Sequence, residues 1–95
     1  MSDPLEAFLG EQVVIDTDGP IVYLGVLKFV GESALVLHDA DLHDCRDGHA
    51  TKEVYILEAR QQGIAVNRRQ VVVLRRPIMS VSRLRDIVID PIPDD

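Results

Sequence analysis

Between His38 and His49 the chain gathers His38, Asp39, Asp41, His43, Asp44, Cys45, Asp47 and His49, all residue types that can bind a divalent metal. His43, Cys45 and Asp47 alternate, so one face of an extended segment would present all three. The spacing argues against a built site: there is no Cys-x-x-Cys pair, and no glycine stands where a calcium loop needs its turn. A solvated acidic loop accounts for the cluster, and neither a metal nor a cofactor is expected. Cys45 with His43 and His49 could be drawn as nucleophile and base, but sequence neighbours on a loop are seldom held in catalytic geometry. No glycine-rich phosphate loop occurs. These residues predict a binding protein with no catalytic residue.

A second group with chemistry is basic. Residues 1–58 carry twelve acids and three bases, residues 59–85 carry seven arginines and no acid, and the last ten residues add four acids, for a net charge of −6. Such a chain repels nucleic acid at long range, yet arginines gathered on one face could still hold phosphate. The plainer reading pairs them with acids of the first half, within or between subunits.

The elements that must position these residues belong to one compact domain, since 95 residues make a core that is adequate but marginal for a monomer. The composition, 46% apolar and 27% charged, is that of a folded globular chain. The acidic start and the lack of a long apolar run predict neither a signal peptide nor a membrane span. With a single cysteine no internal disulfide can form, which fits a reducing cytoplasm.

Ser2 or Asp3 can cap a helix whose first turn suits Pro4 and Glu6, and Leu5, Phe8 and Leu9 give it an apolar face ending at Gly10. Val13–Thr17 and Ile21–Val30 read as strands about an Asp18-Gly19-Pro20 turn, with Gly25 marking a bend or close approach. Ala34–His38 follows as a third strand. The polar stretch Asp41–Lys52 is predicted as the longest loop. Val54–Leu57 and, after Gly63, Ile64–Val66 are predicted as the fourth strand, with Glu58–Gln62 read as either strand or a break. Asn67-Arg68-Arg69 is then a tight turn, and Gln70–Leu74 the fifth strand. Ile87-Val88-Ile89 could add a tail strand.

The run Asp18-Gly19, Gly25-Val26-Leu27-Lys28-Phe29 and Leu35-Val36-Leu37-His38-Asp39 resembles the first motif of the Sm and Sm-like family. Val66-Asn67-Arg68-Arg69-Gln70-Val71 approximates its second motif: a hydrophobic residue, Arg-Gly, two free positions and another hydrophobic residue. The resemblance implies a mainly β fold, a short N-terminal helix and a strongly bent five-stranded antiparallel SH3-like barrel, covering residues 1–76, with 77–95 as a C-terminal extension. It also implies a ring, closed by the fourth strand of one subunit on the fifth of the next, through Val54, Ile56, Val71, Val72 and Val73. In RNA-binding members an aspartate, an asparagine and the arginine of the second motif hold a base. Those positions fall here on Val30, Ala34 and Asn67, and none keeps its residue type.

The reading is therefore an Sm-like, ring-forming binding or scaffold module with RNA as an altered ligand, no membrane association and a protein partner of unknown kind. Two alternatives stay open. One is a true RNA-binding Sm-like protein that uses Asn67, Arg68 and Arg69, with Arg75 or Arg76 nearby. The other is a non-ring SH3-like module that binds protein.

Overall fold

The structure, a computed structural model, describes residues 3–48 and 50–89. The Asp3 carboxylate accepts the Leu5 amide at 3.0 Å and Pro4 follows, so the chain opens with a short 3-10 helix, Pro4–Phe8. Strands β1 (Gln12–Thr17) and β2 (Ile21–Val30) form the hairpin expected about Asp18-Gly19-Pro20, where Thr17 Oγ1 donates to Ile21 O at 2.6 Å. Strand β3 (Ala34–Asp44), helix α1 (Lys52–Gln62), β4 (Arg68–Leu74) and β5 (Ile78–Arg83) complete the fold. All pairings are antiparallel, in the order β4-β3-β2-β1-β5. The strongly bent, mainly β architecture with a short N-terminal helix is as the sequence implied.

The sheet has two apolar faces. Val13, Ile15, Leu27, Leu35, Leu37, Ala40 and Val73 fill the inside of the bend, with Leu5 and Phe8 packed against them. On the opposite face Val14, Val22 and Leu24 are covered by Ile56 and Ala59 of α1 and by Leu84. The pairing of β2 with β3 slips between Leu24 and Val26, beside Gly25, so the glycine marks the bend that was expected. A Cβ on Gly25 would lie 3.0 Å from Ala40 Cβ and 3.1 Å from His38 O, so any side chain there would push the two strands apart.

Several assignments made from the sequence are corrected. Val54–Leu57 is not a strand but the core of α1. Thr51 caps the helix by accepting the Val54 amide at 3.2 Å, Glu53 and Arg60 suit the helix dipole at either end, and Gly63 ends it at φ 97°. Ile56 and Ala59, three residues apart, then share its buried face. The polar stretch is also shorter than expected, because β3 runs on to Asp44 and a 3-10 helix, Cys45–Asp47, follows.

Finally, the boundary at residue 76 falls inside the sheet. Arg68 begins β4 instead of forming a turn, and the segment after Pro77 supplies β5, which pairs with β1 from Val13↔Arg83 to Thr17↔Ile78. That segment was expected as an extension because Pro77 ends a strand, but it also starts the turn into the next one. Ile87–Ile89 forms no strand; a 3-10 helix, Leu84–Asp86, precedes it.

Truncating Ile56 tests the helical assignment. Ile56→Ala should lower unfolding free energy in urea by about 2–3 kcal/mol, as for a buried aliphatic side chain, whereas Val54→Ala on the exposed side should change it by less than about 0.5 kcal/mol.

Candidate functional site

Two turns meet at one end of the sheet, Gly31–Ser33 between β2 and β3 and Arg75–Pro77 between β4 and β5. The Arg75 amide donates to Ser33 O at 2.9 Å and the Gly31 amide to Ala34 O at 2.8 Å. The Arg75 guanidinium then bridges three segments. Its Nη1 donates to Gly31 O at 2.8 Å and lies 2.7 Å from Asp3 Oδ2, while Nη2 donates to Asp3 Oδ1 at 3.0 Å. This two-pronged pairing is the geometry in which guanidinium binds carboxylate most specifically. The Arg75 bond, followed by that of the Leu5 amide, holds the Asp3 carboxyl below its ordinary value, and Asp3 in turn raises Arg75. Shallow grooves flank the arginine, one lined by Asp3, Pro4, Glu6, Val30 and Glu32, the other by Glu32, Ser33, Leu74 and Arg76.

The resemblance put the three base-pocket positions on Val30, Ala34 and Asn67, and the fold separates them. Val30 and Ala34 lie beside this pair of turns, but Asn67 precedes the far end of β4, where its amide donates to Ala40 O at 2.8 Å. The Asn67 side chain is already occupied. It accepts from the Leu42 amide at 3.0 Å and donates to Leu42 O at 3.2 Å and to Asp41 Oδ1 at 2.9 Å. The second-motif pattern fits better eight residues on, as Leu74-Arg75-Arg76-Pro77-Ile78-Met79, with the arginine kept and Arg76 in place of glycine. The missed signal was Thr51 followed by the helix-forming run Glu58–Gln62 and Gly63, which makes residues 52–62 helical and moves the fourth strand to Arg68.

The histidine-rich cluster disperses. Asp39 sits at a bulge with φ 49°, His43 stacks on Tyr55 with ring centroids 3.6 Å apart, and Asp44 pairs with Arg46 at 2.6 Å. That pairing holds the Asp44 carboxyl at about 2. Asp41 is buried under α1, accepting from the Tyr55 hydroxyl and Asn67. Burial, followed by the Asp41 hydrogen bond, raises the Tyr55 hydroxyl well above its ordinary value. Burial also raises the Cys45 thiol, the opposite of what an activated nucleophile needs. Among the described residues no three metal-ligating side chains come together; His49 lies outside them.

The arginines divide. Arg75 pairs with Asp3, while Arg83 and Arg85 reach Glu11 at 3.2 and 3.5 Å, and Arg83 also covers the Phe8 ring. Arg68, Arg69 and Arg76 are exposed, and no ion pair to them occurs among the described residues. The residues expected at a subunit interface divide too. Ile56 and Val73 are buried within the subunit, Val71 is partly buried against its core, and Val54 lies on the exposed side of α1. Only Val72, 54% exposed, keeps both its strand and its open position.

The fold is that of the Sm proteins. An Sm protein of Pyrococcus abyssii, solved in complex with a uridine heptamer, superposes with a TM-score of 0.57 at 15% identity over 86% of this chain and 99% of its own. A heptameric archaeal Sm protein superposes with a TM-score of 0.55 at 19% identity, over 83% of this chain and 93% of its own. No family model matches the sequence, and no curated protein is significantly similar to it.

The two placements of Asn67 predict different results. Asn67→Ala should destabilise the fold by about 1–3 kcal/mol, the range for leaving buried polar partners unsatisfied, while leaving oligouridine affinity within twofold of the starting protein. A selective loss of RNA affinity at unchanged stability would return Asn67 to the site.

Proposed function

We propose that this chain assembles into a closed homo-oligomeric ring, β4 of one subunit pairing with β5 of the next, and that the ring works as a binding or scaffold module. Its setting is the reducing cytoplasm that the lone Cys45 suits. The observation that carries the reading is the pair of open edges: β4 and β5 each have a single neighbour in the sheet. Unpaired strand edges invite another chain, and natural edges are usually blunted by charge, proline or a cover. Here β4 exposes Val72 and Leu74, and β5 exposes Met79. Two different edges joined head to tail close into a ring when the rotation allows. The heptameric archaeal Sm protein of the same fold supports this reading.

RNA enters as an electrostatic ligand. The Sm protein solved with a uridine heptamer makes RNA the natural candidate, but Val30 and Ala34 offer no side-chain hydrogen bond to a base, and Arg75 is engaged by Asp3. Binding through Arg68, Arg69 and Arg76 would be weak and blind to sequence. Among the described residues no helix is long and apolar enough to cross a membrane.

Light scattering coupled to gel filtration should give one species several times the 10.6 kDa chain mass. A monomer at every concentration would favour the non-ring protein-binding reading. The bond between the Arg75 amide and Ser33 O, with the register Leu35↔Val73 and Leu37↔Val71, turns the Val71 and Val73 amides toward β3. Gln70, Val72 and Leu74 therefore aim theirs at the open edge. Val72→Pro should dissociate the ring and leave the monomer folded by circular dichroism, whereas Val73→Pro should unfold the subunit.

Titrations of labelled oligouridine and oligoadenosine should agree within about threefold and weaken steeply with salt, Arg68→Ala and Arg69→Ala reducing both alike. Tight uridine-selective binding that survives moderate salt would overturn the electrostatic reading.

A further inference from the structure

We propose that Asp3 is a built-in competitor for the Arg75 guanidinium, keeping the turn site closed to phosphate while the N-terminal helix is docked. The inference rests on reading the Gly31–Ser33 and Arg75–Pro77 turns as a nucleic-acid-facing surface.

Carboxylate and phosphate are alternative partners for the same two-pronged donor face. Asp3 occupies that face with both oxygens, Oδ2 at 2.7 Å and Oδ1 at 3.0 Å, while Gly31 O takes a further bond from Nη1 at 2.8 Å. The competing acid arrives from 72 residues away in sequence, so its position reports whether the helix is docked. Glu6 and Glu32 line the same groove and repel a second anion. The helix is also a weak clasp. It is one short 3-10 segment with no fully buried residue, held by the partly buried Leu5 and Phe8 and by Arg83, which donates to Ala7 O at 3.2 Å and covers the Phe8 ring, and short terminal elements open at lower cost than the core. Exposed Arg76 beside Arg75 gives an incoming phosphate its first contact before Asp3 is displaced.

Asp3→Asn removes the charge and keeps the cap, since asparagine caps helices as well as aspartate does. Asp3→Ser, a second uncharged capping residue, guards against an effect peculiar to one variant. Labelled oligouridine is titrated across a salt series with the full chain. Both variants should bind about three- to fivefold more tightly, the scale of one surface ion pair. Their plots of log affinity against log salt should steepen by about 0.7, one added phosphate contact on a single strand. Adding Arg75→Gln to Asp3→Asn should restore the original affinity and slope. An unchanged slope in both variants overturns the proposal, as does a gain that persists without Arg75. Light scattering on the same samples separates this from the ring reading. Closed oligomers with an unchanged slope remove only the competitor role, whereas a monomer whose slope still steepens upholds that role and removes the ring.

Discussion

Strict alternation along β3 would put Leu35, Leu37, Asp39 and Asp41 on one face of the sheet, with two carboxylates inside the apolar bend. The slip in pairing from Leu24↔Asp41 to Val26↔His38 prevents this. Asp39 absorbs the extra residue at φ 49°, a left-handed conformation that aspartate tolerates better than most residues. Beyond it the parity inverts, so Ala40 stays in the inner core and Asp41 turns to the opposite face. Gly25 lets the two strands approach at this point. The inner core and the polar anchor of α1 both follow from this inversion, while the unbroken β3–β4 register brings the two turns together.

The second apolar face explains a feature of β1 that one-sided burial would not. Val13, Val14 and Ile15 are consecutive and all buried, as only a strand covered on both sides permits. The cover is α1, which the Asp41 carboxylate locates by accepting from Tyr55 on the helix and Asn67 after it. Neither donor is charged, so the carboxylate gains hydrogen bonds without a neutralising ion pair. Losing either donor would leave a buried carboxylate under-satisfied, so the two bonds together fix where the helix sits. Lys52, pairing with Asp16 at 2.6 Å, secures the start of the helix to β1.

Much of this order was legible in the residues. The Asp18-Gly19-Pro20 hairpin, mid-strand Gly25 and the Leu35–Leu37 pair fix β1 to β3 through local turn chemistry and period-two burial, which sequence carries directly. Val54-Tyr55-Ile56-Leu57 misled because β-branched and aromatic residues favour strands only weakly, and tertiary packing overrides them. The helix caps at Thr51 and Gly63 were the stronger signals. One wrong element then shifted the next: with a strand assigned to Val54–Val66, Gln70–Leu74 became the fifth strand, and the family arginine was sought at Asn67. That Arg75 meets Asp3 could not be read, because pairs remote in sequence are set by topology rather than by spacing.

The topology also decides how the basic residues act together. Arg68 and Arg69 begin β4 and Arg75 and Arg76 follow its end, separated by about 20 Å of extended chain at some 3.3 Å per residue. Dissolved salt screens charges from one another beyond about 8 Å at physiological ionic strength, so these are two patches and not one. They are unlike: the first pair is exposed without an ion-pair partner among the described residues, while Asp3 neutralises half of the second. One end of β4 thus presents exposed cationic side chains, and the other a guanidinium that is already paired. The chain's net charge of −6 also slows the approach of any polyanion from a distance. An anion that does bind must therefore come within screening range of a single patch, and the geometry of that patch, not the overall charge, selects what stays.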